Sequence, residues 1–370
     1  VRKVLIVIPT LDRSGAEKQF VSLAIGLKER GDSIEVIALT RSGPYEEDLR
    51  EAGISVTVLE KKTRFDVAVI WKLRSEIIKR SPDVVLSCLF AANSATRLAT
   101  TGLGKTRPKV IISERCVDSW KSSWQHWLDR RLQSATDLMI ANSESVKNFY
   151  AEQGFPKQRI QVIPNGVDTP ASPTIPRHEF LKSCDLPEDA QLLMFVGRLA
   201  PQKRIKDLLW AVQMLRHSCP NAYFLIIGDG PEREELKLVA KECEAEDQTR
   251  FLGAVPNASE LLHHADVFWL ASEFEGMSNS LMEAMACGKP SVVSDIPPNR
   301  ELISHGKEGW LVDLGDLAGF AQYTVRLIRE PTVAQQLGEA AARKMTEGFR
   351  VSQMVDRYSQ AIDELLSNDR

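Results

Sequence analysis

The sequence predicts an α/β protein built from two doubly wound parallel-sheet domains. Three observations carry that expectation. Short β-branched runs alternate with longer amphipathic stretches, the pattern of right-handed crossover units on a parallel sheet. The alternation breaks where Pro164, Asn165, Gly166, Pro170, Pro173 and Pro176 crowd together, because neither helix nor strand propagates through such a stretch. It then starts afresh, and 370 residues suit two domains of about 100–200 residues each. The expected domains are residues 1–166 and 167–350, with a final helix, 351–370, packing back on the first.

In the first half, Val4–Ile8, Ile34–Leu39, Val110–Ser113 and Leu138–Asn142 read as strands. Val84–Leu89 is an apolar run, and Ile160–Ile163 closes the series. Ala16–Arg30, Val67–Arg80 and Asn93–Thr101 read as helices. In the second half the strands are Leu192–Val196, Tyr223–Ile227, Arg250–Leu252, Val267–Leu270, Ser291–Ser294 and Trp310–Val312. Helices are expected at Ile205–His217, Pro231–Ala245, Ala258–His264, Ser280–Cys287, Asn299–Ser304, Leu317–Arg329 and Thr332–Met345. Val351–Leu366 carries apolar residues at helical spacing. Ligands of such sheets bind outside the carboxyl ends of the strands. The loops after each strand therefore matter most, and the two domains are expected to face each other across a cleft.

Composition narrows the class. Hydrophobic residues make up 43% and charged residues 26% of the chain, values of a soluble protein with real cores. A net charge of −3 gives no electrostatic case for nucleic acid. None of Cys88, Cys116, Cys184, Cys219, Cys243 and Cys287 forms a C-x-x-C pair or lies at zinc-ligand spacing from a His, so reduced thiols in a reducing compartment are expected. The opening apolar run is too short for a signal-peptide core, and no stretch approaches the roughly 20 apolar residues of a spanning helix. The expectation is a cytoplasmic protein, at most attached to a membrane surface.

Three loops carry candidate chemistry. The loop after the first strand, from Thr10 to Glu17, has only Gly15 and lacks the G-x-G-x-x-G of a dinucleotide site. Ser14 and Glu17 fit a capping box, while Gly15 at a helix start would let a phosphate approach exposed amides. The loop Gly197-Arg198-Leu199-Ala200-Pro201-Gln202-Lys203 sets cations between a strand end and a helix. Arg donates paired charged hydrogen bonds to a diphosphate and Lys adds a point charge. No D-x-D pair occurs to hold Mg²⁺, so no metal is expected and fixed cations would neutralise the phosphates. The third segment runs from Ser272 to Pro290 and turns from a strand into a helix ended by Gly288 and Pro290. Glu275 and Glu283 flank helix-start amides there, a set suited to sugar hydroxyls and phosphate oxygens.

This third segment resembles a known signature. Glu275-Gly276-Met277-Ser278 followed by Glu283 is similar to the E-x7-E motif of retaining GT-B glycosyltransferases of glycosyltransferase family 4. Gly197-Arg198-Leu199 with Lys203, Gly228-Asp229-Gly230-Pro231, Phe251-Leu252-Gly253, Ala141-Asn142-Ser143-Glu144-Ser145 and Ile163-Pro164-Asn165-Gly166-Val167-Asp168 match in order. The resemblance implies a metal-independent transfer from a nucleotide diphosphate sugar, UDP by default, to a glycan or lipid-linked acceptor. It implies that Arg198 and Lys203 hold the diphosphate, beside Gly197. Glu275 would bind the transferred sugar and Glu283 the ribose. Amides across Gly276, Met277, Ser278, Asn279, Ser280 and Leu281 would bind sugar and phosphate oxygens, and the backbone near Val255 the base. Gly15 would approach the phosphate from the other domain.

Departures from the pattern bear on the acceptor. Ser278 stands where many members have Gly, and Ser14 where many have a second Gly. Where many have a His, this chain has Ser113-Glu114-Arg115, which makes Glu114 and Arg115 the acceptor-side candidates. Trp120, Trp124 and Trp127 fall on one helical face near Lys121, Arg130 and Arg131. Such a helix either docks on a bilayer or lipid-linked acceptor or buries its aromatic stripe, and burial is the favoured reading. A sugar-nucleotide isomerase of the same fold and a catalytically silent binding protein are the remaining alternatives.

Overall fold

The computed structural model describes residues 1–63, 66–117 and 121–367. The chain divides into two compact units, residues 1–166 with the segment from Val351, and residues 167–350.

The first unit holds a seven-stranded parallel sheet. Its strands are β1 (Lys3–Thr10), β2 (Ser33–Arg41), β3 (Ser55–Val58), β4 (Val84–Cys88), β5 (Lys109–Glu114), β6 (Leu138–Ala141) and β7 (Ile160–Val162), in the order β3-β2-β1-β4-β5-β6-β7. Helices α1 (Gly15–Glu29), α2 (Tyr45–Glu51), α3 (Ala68–Arg80), α4 (Leu89–Thr100), α5 (Ser123–Arg131) and α6 (Glu144–Glu152) connect them. The sequence of β1 explains its central place. Val4, Ile6 and Ile8 join one core cluster while Leu5 and Val7 join another, so a strand covered on both faces reads as a continuous apolar run. Strand order reverses between β1 and β4, and the crevice at such a switch point is where ligands bind.

The second unit holds a six-stranded parallel sheet in the order β10-β9-β8-β11-β12-β13. Its strands are β8 (Gln191–Val196), β9 (Ala222–Ile227), β10 (Thr249–Gly253), β11 (Val267–Leu270), β12 (Ser291–Ser294) and β13 (Trp310–Val312). Helices α7 (Arg177–Ser183), α8 (Ile205–Leu215), α9 (Arg233–Glu242), α10 (Asn279–Ala286), α11 (Pro297–Leu302), α12 (Leu317–Arg329) and α13 (Pro331–Gly348) surround it. Trp269 of β11 is fully buried, and its indole Nε1 donates to Thr324 Oγ1 at 2.9 Å. That bond removes the cost of burying the only polar group on the ring. Two helices here touch through glycines: a Cβ on Gly338 of α13 would lie 2.0 Å from the Gly288 carbonyl just after α10.

The last helix, α14 (Val351–Ser367), belongs to the first unit. Met354, Val355, Tyr358, Ala361 and Ile362 are buried in the same cluster as Val4 and Ile6. A Cβ on Gly26 of α1 would meet Val355 Cγ2 at 2.6 Å, so Gly26 is what lets α14 approach.

Several elements differ from expectation. The edge strand β3 and helices α2, α6 and α7 carry too short a periodic pattern to be read. Residues 258–264, expected as a helix, form only a 3₁₀ turn over Glu260–His264, entered through Asn257 in the left-handed region at φ 54°. The aromatic stripe is not buried: Trp124 and Trp127 are exposed, Gln125 alone of α5 is buried, and Trp120 lies outside the described residues. The helix turns its polar side inward to satisfy buried charges beneath it. Among the described residues no helix is long and apolar enough to cross a membrane.

Candidate active site

The second unit gathers its candidate residues at the carboxyl ends of its strands. After β8 the chain enters Gly197-Arg198-Leu199, which is stitched to the turn after β9. Gly197 N–H donates to the Ile227 carbonyl at 3.0 Å, and Leu199 N–H to the Asp229 carbonyl at 3.0 Å. The fit demands glycine on the facing turn. A Cβ on Gly228, whose φ is +140°, would lie 1.9 Å from the Gly197 carbonyl, and one on Gly230 2.2 Å from that of Leu199. Arg198 projects exposed from this loop. A single 3₁₀ turn, Pro201–Lys203, and Arg204 in the left-handed region at φ 50° then lead into α8.

Lys203 is aimed at the segment after β11. Its ammonium forms an ion pair with Glu275, both side chains largely shielded from water. The Glu273 N–H donates to the Gln202 carbonyl at 2.8 Å, so backbone as well as charge holds the two loops together. A shielded pair of this kind loses much if one partner is removed, since the other charge is then buried alone. Beyond Glu275 the chain turns into α10. Ser278 is the N-cap, its hydroxyl accepting from Leu281 N–H at 3.4 Å. Asn279 and Ser280 open the helix half-buried, Leu281 enters the core, and Gly276 and Met277 are buried in the turn before it. Glu283 is buried one turn inside α10. Val255 follows β10 at the same edge of the sheet and packs on a core cluster.

The first unit holds the other candidates. Gly15 is exposed as the first residue of α1. The predicted capping box is absent. The Ser14 hydroxyl instead donates to the Glu17 carboxylate, to which Thr10 Oγ1 also donates at 3.2 Å. Glu17 is buried and therefore takes both hydroxyls to satisfy its charge. Beside it the Cys88 thiol is pushed well up, by burial first and by the Glu17 charge second.

Glu114 and Arg115, at the end of β5, are both buried and engaged. Asn93 Nδ2 donates to Glu114 Oε1 at 3.0 Å, and Lys121 Nζ stands 3.7 Å from its other oxygen. Lys121 also lies 3.2 Å from Asp129 and donates to Tyr150 OH at 2.7 Å, while Arg97 pairs with Asp129 at 2.5 Å. Arg115 donates to Asn165 Oδ1 and places its guanidinium 5.5 Å from the centre of the Phe20 ring. Sequence reasoning missed Asn93, Arg97 and Asp129, and named Lys121 only as a neighbour of the tryptophan stripe. At the head of α4, Leu89 sits at φ 66°, a strained conformation at the switch point.

Both halves of the chain are similar to known proteins. A family model described as "Glycosyltransferase Family 4" matches residues 13–170, and one described as "Glycosyl transferases group 1" matches residues 176–344. The chain is 29% identical over 235 residues to N-acetyl-alpha-D-glucosaminyl L-malate synthase of Bacillus anthracis, covering 64% of this chain and 61% of that protein. It is 27% identical to the lipopolysaccharide core biosynthesis glycosyltransferase LpsD of Rhizobium meliloti, over 94% of this chain and 95% of that one. The crystal structure of Anabaena HepE in complex with UDP and glucose has the same fold, with a TM-score of 0.88 at 19% identity over 98% of this chain and 100% of that one. Two family models that together span nearly the whole chain, on a GT-B fold, place this protein in glycosyltransferase family 4, and it is a glycosyltransferase.

Proposed function

We propose that the protein is a retaining hexosyltransferase that moves a sugar from a UDP-sugar to a glycan or lipid-linked acceptor, without a metal, on the cytoplasmic side of a membrane whose surface it contacts. The observation that carries the donor half is the shielded Lys203–Glu275 pair beside the capped start of α10. It sets a cation for phosphate and a carboxylate for hydroxyls within reach of one ligand. In this reading Arg198 and Lys203, next to Gly197, bind the diphosphate, and amides from Gly276 to Leu281 bind phosphate and sugar oxygens. Glu275 accepts from the transferred sugar, Glu283 from the ribose, and the backbone at Val255 meets the base. Gly15 admits phosphate at the start of α1. Glu114 and Arg115 shape the acceptor side rather than reacting, because both charges are already engaged.

As the bond from the anomeric carbon to the leaving phosphate breaks, negative charge grows on the diphosphate. Preorganised cations and helix-start amides bind that charge more strongly than they bind the ground state. The acceptor oxygen bonds to the same face of the anomeric carbon, and its proton passes to the leaving phosphate. UDP in the Anabaena structure and the lipopolysaccharide role in the Rhizobium relative's name support the choice of donor and acceptor class. Calorimetric titration with UDP, GDP and ADP tests the base, with UDP expected to bind tightest. UDP release from a sugar donor is expected to require an acceptor. Donor conversion without acceptor would replace the reading with an isomerase.

A further inference from the structure

The outer face of helices α3, α4 and α5 carries apolar side chains that no core uses. Among the described residues, six of the eleven exposed large apolar side chains belong to this one layer: Val67 capping α3, Trp71 and Ile78 along it, Leu98 on α4, and Trp124 and Trp127 on α5. Trp71 is 68% exposed, Trp127 54% and Trp124 41%. Val67, Trp71 and Ile78 are spaced to stand on one side of a helix, opposite Val69, Leu73 and Ile77, which are buried. The three helices lie side by side. Arg74 of α3 donates to the Ala99 and Thr101 carbonyls at the end of α4, at 3.0 and 2.7 Å. Phe90 of α4 meets Trp124 of α5 edge to face at 5.8 Å.

Charge on this face runs against that of the chain. Helix α3 brings Lys72, Arg74 and Lys79 to it, while Arg80 is taken up by Glu35 and Glu76. On α5 the carboxylate of Asp129 is turned inward to Arg97 and Lys121, which leaves Arg130 and Arg131 exposed. The face is therefore basic although the chain has a net charge of −3. Tryptophans interleaved with Lys and Arg fit a bilayer boundary, where rings lie at headgroup depth and cations meet lipid phosphates. The core of a protein interface is instead depleted of lysine and other charge.

We propose that the outer face of α3, α4 and α5 docks on an anionic bilayer surface. This deepens the membrane contact proposed above by assigning it to a face, and it stands independently of the donor chemistry. The buried network of Glu114, Asn93, Lys121, Asp129 and Arg97 fixes α5 to β5 and α4, so the docking helix is rigidly tied to the acceptor-side candidates.

The test is cosedimentation of the full chain with phosphatidylcholine vesicles, with and without phosphatidylglycerol. Binding is expected only to the anionic vesicles and is expected to weaken as salt is raised. Trp71→Ser and Trp127→Ser are each expected to weaken it at least about tenfold. Trp210→Ser, at an exposed tryptophan of the second unit, is expected to leave it unchanged. UDP titration of the same samples separates failure of docking from failure of the donor site. Equal losses in all three variants, or no binding to anionic vesicles, overturns the proposal. So does a concentration-dependent dimer abolished by the Trp71 and Trp127 changes in the absence of lipid.

Discussion

Lys203 and Glu275 lie 72 positions apart in the chain, yet each holds the other in place. Lys203→Ala and Glu275→Gln are each expected to lower donor turnover by roughly 10²-fold or more, since each removes a preorganised charged group from the proposed donor site. Both are also expected to lower the melting temperature, with the double variant losing less than the sum, because a lone buried charge costs more than none. Initial rates and a double-mutant cycle check this. His264 offers a second test. It is buried, stacked on Phe180 at 4.8 Å, and its pKa is lowered by burial first and by Arg177 second. The unfolded chain takes up a proton near pH 6.5, before the folded protein does, so the stability His264 contributes is complete above that pH. It is lost as pH falls towards the lower folded value, by up to about 1.4 kcal/mol per pH unit. Denaturation midpoints from about pH 8 to 5 should fall more steeply for the wild type than for His264→Gln. The strand-to-helix turn from Glu275 to Glu283 was legible because its residues are contiguous and local spacing states their geometry. The cluster of Asn93, Glu114, Lys121 and Asp129 was not, because its members come from separate elements and meet only after folding.

Elements were legible in proportion to how fully they are buried. Strands β1 and β9 carry continuous apolar runs because both faces are covered. Strand β3, four residues at a sheet edge and only half-buried, left no such trace. The helix α5 was misread for a physical reason: its inward face is charged and its outward face aromatic, the reverse of an ordinary amphipathic helix. Close helix contacts give a further prediction. Gly338→Ala must push α13 off the turn that ends α10, at an expected cost of about 1–3 kcal/mol. Because α10 carries Glu283, UDP affinity should fall with it. Gly348→Ala, where an added Cβ would meet nothing within 4 Å beyond its own helix, is the control and should be neutral or slightly stabilising. Thermal melts and UDP titration of the two variants read both effects.

At the scale of the whole molecule, the first unit is discontinuous in sequence and the second is not. The fragment 167–350 is therefore expected to unfold cooperatively on its own. The fragment 1–166 is not, since it lacks five buried side chains of α14, of which Met354, Val355 and Ile362 are each worth about 1.5–3 kcal/mol. Adding a peptide spanning 351–367 to that fragment should restore a cooperative transition, followed by circular dichroism. If fragment 1–166 melts cooperatively without it, α14 is an accessory and not part of that core.

The placement of Met354, Tyr358 and Ile362 in the core of the first unit also sets an order of events on the ribosome. Domains usually fold in the order in which they are translated. Here the amino-terminal sheet leaves the exit tunnel first but waits, with part of its apolar face uncovered, until the whole second unit has been made. The nascent first unit is thus open to chaperone capture for the time it takes to add the 184 residues from Val167 to Arg350, and the later unit is expected to resist protease first on stalled chains.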